Sequence, residues 1–411
     1  MNEALWMGWR KSVKKNKFIW SDGWCIEDGM AWFVDGRRNI LYCLDLITGE
    51  CKYTAEIPYG DRGTFRSAPR VLKVGNEIFC MPDIGTDIWI YDIKASEFSH
   101  LSVNNSDGVR VSCISFWQYD NKIFTLATGL NQIIEINICE KTIDDYYPII
   151  DTPKEKLGRS VKVGSDIYVV STLSNKVYQF NLDLKTPVIH ILPGVEDGLY
   201  TICFDGTKFW LSGYRKEIYV WDKERNNVET LCDFPDDFGE YDFAGKEEAI
   251  LNCERAKYDV TAFIESIVIG NYVWFIPFKT NKIIYIDRDT YKMQIFKMRN
   301  EDENRDSLTI NAMAHKYLVQ YVSDERYLGL FSLKNDWLVE IDTKEFEVEV
   351  KNFSIDYEKY ADGLKEYVFW DNNETDFDVF LYLMVAGKKK GNVMKKEVGK
   401  RIHDQICYGQ I

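Results

Sequence analysis

The feature that most constrains this chain is a repeat, marked by an acidic or amide residue that directly follows a short apolar strand. The steps between successive markers are 47, 45, 44, 41, 65 and 55 residues. The seven markers are Asp45, Asp92, Asn137, Asn181, Asp222, Asp287 and Asp342. A second, aromatic marker lies thirteen residues upstream in five units and twelve in another: Trp32, Phe79, Phe124, Tyr168, Trp274 and, at twelve, Trp210. Two markers that drift together predict seven copies of one structural unit.

The seventh unit departs from the aromatic pattern. It has Gly329 at the expected position and Phe331 two residues later. We interpret the recurrent aromatic as a packing residue between adjacent units, the alternative being a residue that stacks on a sugar or a base.

Each unit reads as four short strands separated by turns. The second unit shows them as "RVLKVG", "EIFCMPD", "DIWIYDI" and "EFSHLSV", which alternate or run apolar and are rich in Val, Ile, Tyr and Phe. The marker after the third strand suits a hairpin turn, because an Asx side chain accepts hydrogen bonds from nearby backbone amides. Units of about 45 residues with four antiparallel strands predict a β-propeller.

The predicted fold class is therefore all-β, a seven-bladed β-propeller of four-stranded antiparallel blades over residues 17–353. An insertion at about 237–262 adds only about twenty residues, too few for an eighth blade. Because every unit has its own four strands, closure by an exchanged terminal strand is not required; the alternative is that "EYVFW" at 366–370 or the first twenty residues supply an edge.

The repeat can be compared with known families. The stretch "ILYCLDLITGE" resembles the repeat of quinoprotein-like and YVTN-type propellers, and the whole is similar to kelch and NHL propellers. It lacks the His and Trp-Asp signature of WD repeats and the double glycine of kelch repeats. The resemblance implies a fold alone, because propellers host enzymes, lyases and scaffolds alike.

Residues 354–411 form a C-terminal extension with a different pattern. Thr375 is a candidate N-cap and Gly387 a stop signal, and apolar residues recur at helical spacing between 393 and 406. Two short helices are expected. Seven Lys and Arg residues make this tail basic: Lys388, Lys389, Lys390, Lys395, Lys396, Lys400 and Arg401.

Composition excludes several classes of function. The formal net charge of −14 argues against nonspecific nucleic-acid binding, which needs clustered Lys and Arg. The longest apolar runs fall short of the roughly 20 residues of a membrane helix, and no signal peptide is apparent. The ten cysteines form no CxxC pair, so a reduced, cytoplasmic protein without a metal site or cofactor is expected.

Arginines mark the predicted functional surface. In a propeller, the outer-to-inner and second-to-third strand loops emerge on one face, around the mouth of the central channel. Arg66, Arg110 and Arg159 lie in or near the outer-to-inner loops, each with a serine close in sequence. Converging arginines would form a forked donor set for carboxylate or phosphate. The alternative is that each pairs with a local acid such as Asp107 or Glu155.

Other candidate ligand-binding residues accompany Asp-Gly pairs. Such pairs occur at 22–23, 107–108 and 197–198 and predict turns, because glycine permits positive φ. Tyr200 and Trp24 follow two of them and would line the mouth or pack in the core. Asp107 with Asp197 is a candidate acid pair for proton transfer.

Catalytic residues cannot be assigned. Among four histidines, His100 and His190 fall in predicted outer strands, His403 lies on the tail, and only His315 is near an inner strand. A multi-histidine metal centre is not expected, and no phosphate loop or hydrolase motif is present.

The sequence thus favours a binding or scaffold propeller that recognises a protein partner or an anionic small ligand at the mouth of the channel. The alternative is a propeller enzyme, a lyase or hydrolase, acting on an anionic substrate held by the mouth arginines. A third hypothesis is peripheral membrane attachment through the lysine-rich tail. The oligomeric state is not indicated.

Overall fold

The fold is taken from a computed structural model of the chain. It describes residues 21–351 apart from 22, 36–38, 59–69, 84, 104–110, 151, 153–154, 239–260, 279, 299–316 and 333–336. The regular elements of these residues are all strands. None of the described residues belongs to a helix long and apolar enough to cross a membrane. The predicted helices of the extension 354–411 lie outside the described residues.

Twenty-eight strands form seven four-stranded sheets, the blades. Blades one to four contain β1 (Cys25–Glu27), β2 (Met30–Asp35), β3 (Ile40–Asp45), β4 (Cys51–Glu56), β5 (Arg70–Val74), β6 (Glu77–Met81), β7 (Asp87–Asp92), β8 (Glu97–Ser102), β9 (Cys113–Tyr119), β10 (Lys122–Ala127), β11 (Gln132–Asn137), β12 (Thr142–Pro148), β13 (Leu157–Val163), β14 (Asp166–Ser171), β15 (Lys176–Asn181) and β16 (Thr186–Ile191). Blades five to seven contain β17 (Leu199–Phe204), β18 (Phe209–Gly213), β19 (Ile218–Asp222), β20 (Asn227–Leu231), β21 (Phe263–Ile269), β22 (Tyr272–Pro277), β23 (Lys282–Asp287), β24 (Met293–Lys297), β25 (Tyr317–Ser323), β26 (Tyr327–Ser332), β27 (Trp337–Asp342) and β28 (Glu347–Lys351).

Every blade is an antiparallel meander of four consecutive strands, so the seven-bladed prediction is confirmed. Blade one owns its four strands, and inner-strand contacts join it to blade seven. The Trp24 amide donates to the Gln320 carbonyl at 3.0 Å, and Gln320 Nε2 donates to the Ser21 carbonyl at 3.1 Å. Within the described residues each blade is built from its own four consecutive strands; residues 1–20 and 366–370, which could add an edge, lie outside them.

The turn between the third and fourth strands is built by the Asx marker. Asp92 Oδ1 accepts hydrogen bonds from the amides of Lys94 and Ala95 at 2.8 and 2.9 Å, and the other six markers accept amides in the same turn. The predicted capping role is therefore confirmed. Four residues after each marker the backbone is left-handed, at Gly49, Ser96, Lys141, Lys185, Asn226, Tyr291 and Phe346.

The six aromatic markers, on the second strands of blades one to six, are buried, from 0% exposed at Phe124 to 7% at Trp32. In four blades the marker contacts the third-to-fourth-strand turn of the next blade. The contacts are Lys185 Nζ over the Phe124 ring at 4.0 Å, Lys223 Nζ over Tyr168 at 4.9 Å, Tyr291 against Trp210 at 5.3 Å and Phe346 against Trp274 at 6.0 Å. The marker packs adjacent blades together, as the first interpretation proposed.

In the seventh blade, an aromatic residue on the neighbouring inner strand takes the place of the missing marker. Gly329 pairs with Tyr321 of the inner strand β25, and a Cβ at Gly329 would overlap the Tyr321 ring. The Tyr321 hydroxyl donates to Glu340 Oε2 at 2.8 Å. A glycine is needed at position 329 because the Tyr321 ring fills the space that its side chain would occupy. The aromatic ring of this blade thus comes from the inner strand, which the repeat pattern does not indicate.

Candidate binding site at the channel mouth

Contacts between loops confirm that the two predicted loop sets share one face. Asp197, in an outer-to-inner loop, pairs with Arg215 of a second-to-third strand loop. Asp83 accepts a hydrogen bond from the Ser112 hydroxyl at 2.6 Å, again between the two kinds of loop. In a propeller this face surrounds the mouth of the central channel, and the inner strands begin there.

The inner strands of blades three to seven each carry an irregularity in register near this end. The residues without a partner on the second strand are Ile114, Gly158 and Arg159, Tyr200, Ile264 and Gln320. A β-bulge turns the strand locally and re-aims backbone groups and side chains. In blades three to six the bulge falls at the second or third residue of the inner strand, and in blade seven at the fourth, so groups of five blades are redirected in the first half of the inner strand.

Arg159 is the predicted site residue best defined by the structure. Its Nε donates to the Ile264 carbonyl of blade six at 3.0 Å and lies 3.2 Å from Glu265 Oε2. Both Arg159 and Ile264 are bulge residues, so the two irregularities bring blades four and six together past blade five. The partner is not the local acid Glu155, which instead accepts the Ser174 hydroxyl at 3.1 Å and pairs with Lys176 at 3.3 Å.

Glu265 is the acidic member of this pair. The side chains of Arg159 and Glu265 are 20% and 23% exposed, so both are reachable by solute. Burial raises the pKa of the Glu265 carboxyl above its ordinary value, and the charges of Arg159 and Arg70 only partly oppose that rise. The fold therefore holds Glu265 in an environment that disfavours its ionised form.

A second arginine serves the framework of the channel. Arg70 Nη1 donates to the Cys113 carbonyl at 3.2 Å and lies 3.9 Å from Asp83. Its side chain is only 8% exposed. Because these contacts join the inner strands of blades two and three, Arg70 stabilises the ring in addition to its electrostatic effect on Glu265.

One hydroxyl residue, Ser160, directly follows Arg159 on β13 and reaches a second hydroxyl on β9. Ser160 Oγ and Ser115 Oγ are 2.6 Å apart and connect β13 to β9. A hydroxyl pair and a guanidinium are donors suited to an oxyanion.

The remaining described candidates lie apart from this pair. Asp197 is at the rim, 42% exposed and held by Arg215, which also reaches Glu196 at 3.2 Å. Tyr200 is a half-buried bulge residue of β17. Trp24 is buried and stacks on Phe33 at 4.4 Å, so core packing is its role.

The explanation given for two Asp-Gly pairs is wrong. Neither Gly23 nor Gly198 has the positive φ that the turn interpretation required. Gly198 is needed because a Cβ there would overlap the carbonyl oxygen of Thr172 on blade four. Close approach of two blades, and not a left-handed turn, explains that glycine.

Arg66, Asp107 and Arg110 lie outside the described residues, as does the pair 107–108. Their place at the mouth, and the acid pair of Asp107 with Asp197, stay predictions.

The histidines of the described blades are in the outer strands, as predicted. His190 Nε2 lies 2.8 Å from Gln179 Oε1, and its ring packs on Trp221 at 5.1 Å. His100 packs on Trp89 at 5.0 Å. Among the described residues, no three His, Cys, Asp or Glu side chains are grouped so as to hold a metal ion. His315 and His403 lie outside these ranges.

Comparison with known proteins shows the fold and not the activity. No family model matches the chain, and no curated protein matches it. Solved structures do match. The computationally designed Ika8 protein is 9% identical with a TM-score of 0.53, covering 84% of this chain and 90% of its own. BamB from Moraxella catarrhalis is 12% identical with a TM-score of 0.50, covering 77% and 83%. The dihydro-heme d1 dehydrogenase NirN, in complex with DHE, is 12% identical with a TM-score of 0.46, covering 79% and 73%.

At these identities the likeness concerns architecture alone. What is confirmed is the β-propeller fold inferred from the repeat.

Proposed function

We propose that this chain is a binding propeller that holds an anionic group, a carboxylate or phosphate of a protein partner or small ligand, at the channel mouth. The single observation that carries the proposal is the Arg159–Glu265 pair, in which a guanidinium reaches from blade four to blade six and both side chains keep about a fifth of their surface exposed.

The physical basis is an exchange of partners. A guanidinium presents N–H donors in a rigid fork, and Arg159 Nε lies against both the Ile264 carbonyl and Glu265. Because the pKa of Glu265 is raised by burial, its carboxylate is an intramolecular anion held at a free-energy cost. An incoming anion replaces that carboxylate beside Arg159, while Glu265 takes up a proton.

The test is titration of the full chain with inorganic phosphate, sulfate and an acidic peptide, followed by calorimetry. Arg159→Gln removes a charge-assisted hydrogen bond worth about 1.5–3 kcal/mol, so the Kd should rise at least about tenfold. Glu265→Gln removes the competing carboxylate and should lower the Kd. Binding of phosphate or sulfate without binding of the peptide would indicate a small-anion site. Selective binding of the peptide would indicate a protein partner.

The control is Arg225→Gln. Arg225 lies in a third-to-fourth-strand turn, 84% exposed, and pairs only locally with Asp222 at 3.7 Å in the contacts described. It should bind as the wild type does. Equal Kd values for Arg159→Gln and the wild type, with both proteins folded by circular dichroism, would refute the proposal.

A further inference from the structure

The outer strand of blade four is unlike the other six outer strands. β16 reads TPVIHI and contains no charged residue, whereas each of the others has at least one Asp, Glu or Lys. Charged residues on an edge strand normally prevent pairing with another chain. β16 lacks that protection.

Apolar side chains are exposed along the same strand. Val188, Ile189 and Ile191 are 47%, 40% and 61% exposed, and Leu184 of the preceding turn is 72% exposed. β16 ends its sheet, and no described strand pairs with its outer side. The edge therefore combines open backbone groups with an uncharged apolar surface.

Prolines limit which backbone N–H groups β16 can offer on its open side. The Leu192 amide donates inward to the Asn175 carbonyl at 3.0 Å, and in an antiparallel ladder inward and outward residues alternate. The backbone N–H and C=O groups of His190 and Val188 therefore face β15, and those of Ile189 and Ile191 face away from the sheet. The outward residues on either side of these two are Pro187 and Pro193, which have no amide hydrogen.

This pattern is complementary to itself. Pro187 and Pro193 are both three residues from His190. In an antiparallel pair of two β16 strands centred on His190, Ile189 of one chain faces Ile191 of the other, and each such pair exchanges two hydrogen bonds. Pro187 of one chain faces Pro193 of the other at both ends. The positions that lack an N–H donor therefore face each other, and every N–H between them has a carbonyl partner. A two-fold axis generates such an isologous contact.

Charge favours the same arrangement. Each chain has a formal net charge of −14, so two copies repel one another over most of their surface. An uncharged edge is where approach brings the fewest carboxylates together.

We propose that two copies of this chain associate through β16, forming an eight-stranded sheet across a two-fold axis at His190. The paired segment is short and buries less than the roughly 1,000 Å² typical of a stable interface. The dimer is therefore weak and concentration-dependent. This interface is independent of the channel mouth.

The test is analytical ultracentrifugation of the full chain over about a hundredfold range of concentration, up to several hundred micromolar. The wild type should show a monomer–dimer equilibrium. Ile189→Lys with Ile191→Lys should weaken it at least tenfold, because four lysines would meet at the edge. The matched control is Ile47→Lys with Val322→Lys, which adds the same charge at exposed positions 90% and 41% accessible in other blades and should dimerise normally.

Register is tested by cysteine cross-linking. His190→Cys should form an intermolecular disulfide above the level of the parent protein, because residue 190 faces its own copy. Val188→Cys should not, because it faces Leu192. A wild type that stays monomeric at all concentrations would overturn the proposal. The open edge would then be a site for pairing with a strand of another protein. A dimer that survives the double lysine variant, or fails to cross-link through residue 190, would equally overturn the proposal.

Discussion

At the scale of single residues, the turns between third and fourth strands reveal a conformational cost that the fold tolerates. The residue four after the Asx marker is left-handed in all seven blades, yet only Gly49 is a glycine. In five blades the side chain at or near this position contacts the preceding blade, as Lys185 does with Phe124 and Lys141 with Glu77. Such a contact can offset the cost of the left-handed backbone.

Ser96 is the position at which this strain can be measured. Its φ is +58° and it is exposed. Ser96→Gly should stabilise the fold by about 0.5–1 kcal/mol, because glycine adopts this conformation without steric cost. Urea unfolding would measure the change.

The control lies three residues away on β8. Ser99 is exposed in regular strand conformation, so Ser99→Gly should destabilise by about 0.5–1 kcal/mol. Equal effects of the two substitutions would show that the left-handed backbone carries no strain.

Arg159 could be predicted from the sequence as a site residue, but its partner Glu265 could not. An arginine near a loop that precedes an inner strand is visible in the repeat alignment. Glu265 lies 106 positions later, and its approach depends on bulges in β13 and β21, which leave no mark in an apolar pattern. The sequence offered a local acid such as Glu155 as the alternative to a ligand, whereas the acid that pairs with Arg159 in the structure is the distant Glu265.

At the scale of elements, neighbouring blades four and five meet at a glycine. A Cβ at Gly198 would overlap the Thr172 carbonyl of blade four, and within blade five a Cβ at Gly213 would overlap the Gly198 carbonyl. Backbone therefore packs directly on backbone at Gly198, at the seam where the two blades meet.

Gly198→Ala tests that seam. The added methyl group meets backbone that cannot rotate away, so we expect a loss of about 3 kcal/mol in the free energy of unfolding. Gly23→Ala is the control, since a Cβ at Gly23 meets nothing within 4 Å and its φ is not left-handed. Thermal unfolding would compare them. Similar melting temperatures would show that the seam relaxes easily.

Elements were predicted well where a repeated pattern marked them and poorly where one blade departed from it. The Asx turns and buried aromatics recur, so each copy supported the interpretation of the others. Gly329 was seen as an exception without a reason, because its replacement Tyr321 comes from an adjacent strand. Contacts between strands of one blade depend on register, which the alignment of repeats does not supply.

At the scale of the whole molecule, the number of blades followed from the sequence because seven units each contain four strands. What the repeat could not indicate is how the blades differ from one another. The Arg159–Glu265 pair and the uncharged edge of β16 both break the pseudo-symmetry. Function in a propeller is carried by such differences, since the shared repeat specifies only the scaffold.

The central claim is that an anion and the Glu265 carboxylate compete for Arg159, and the pH dependence of sulfate binding tests it most directly. Sulfate keeps its charge between pH 8 and 5, so any change in its Kd reports on the protein. The raised pKa of Glu265 means that this carboxyl is protonated as pH falls toward its folded value, which releases Arg159. We expect the wild-type Kd to fall with pH, while Glu265→Gln binds tightly with a flatter profile. Parallel pH profiles for the two proteins would contradict the account.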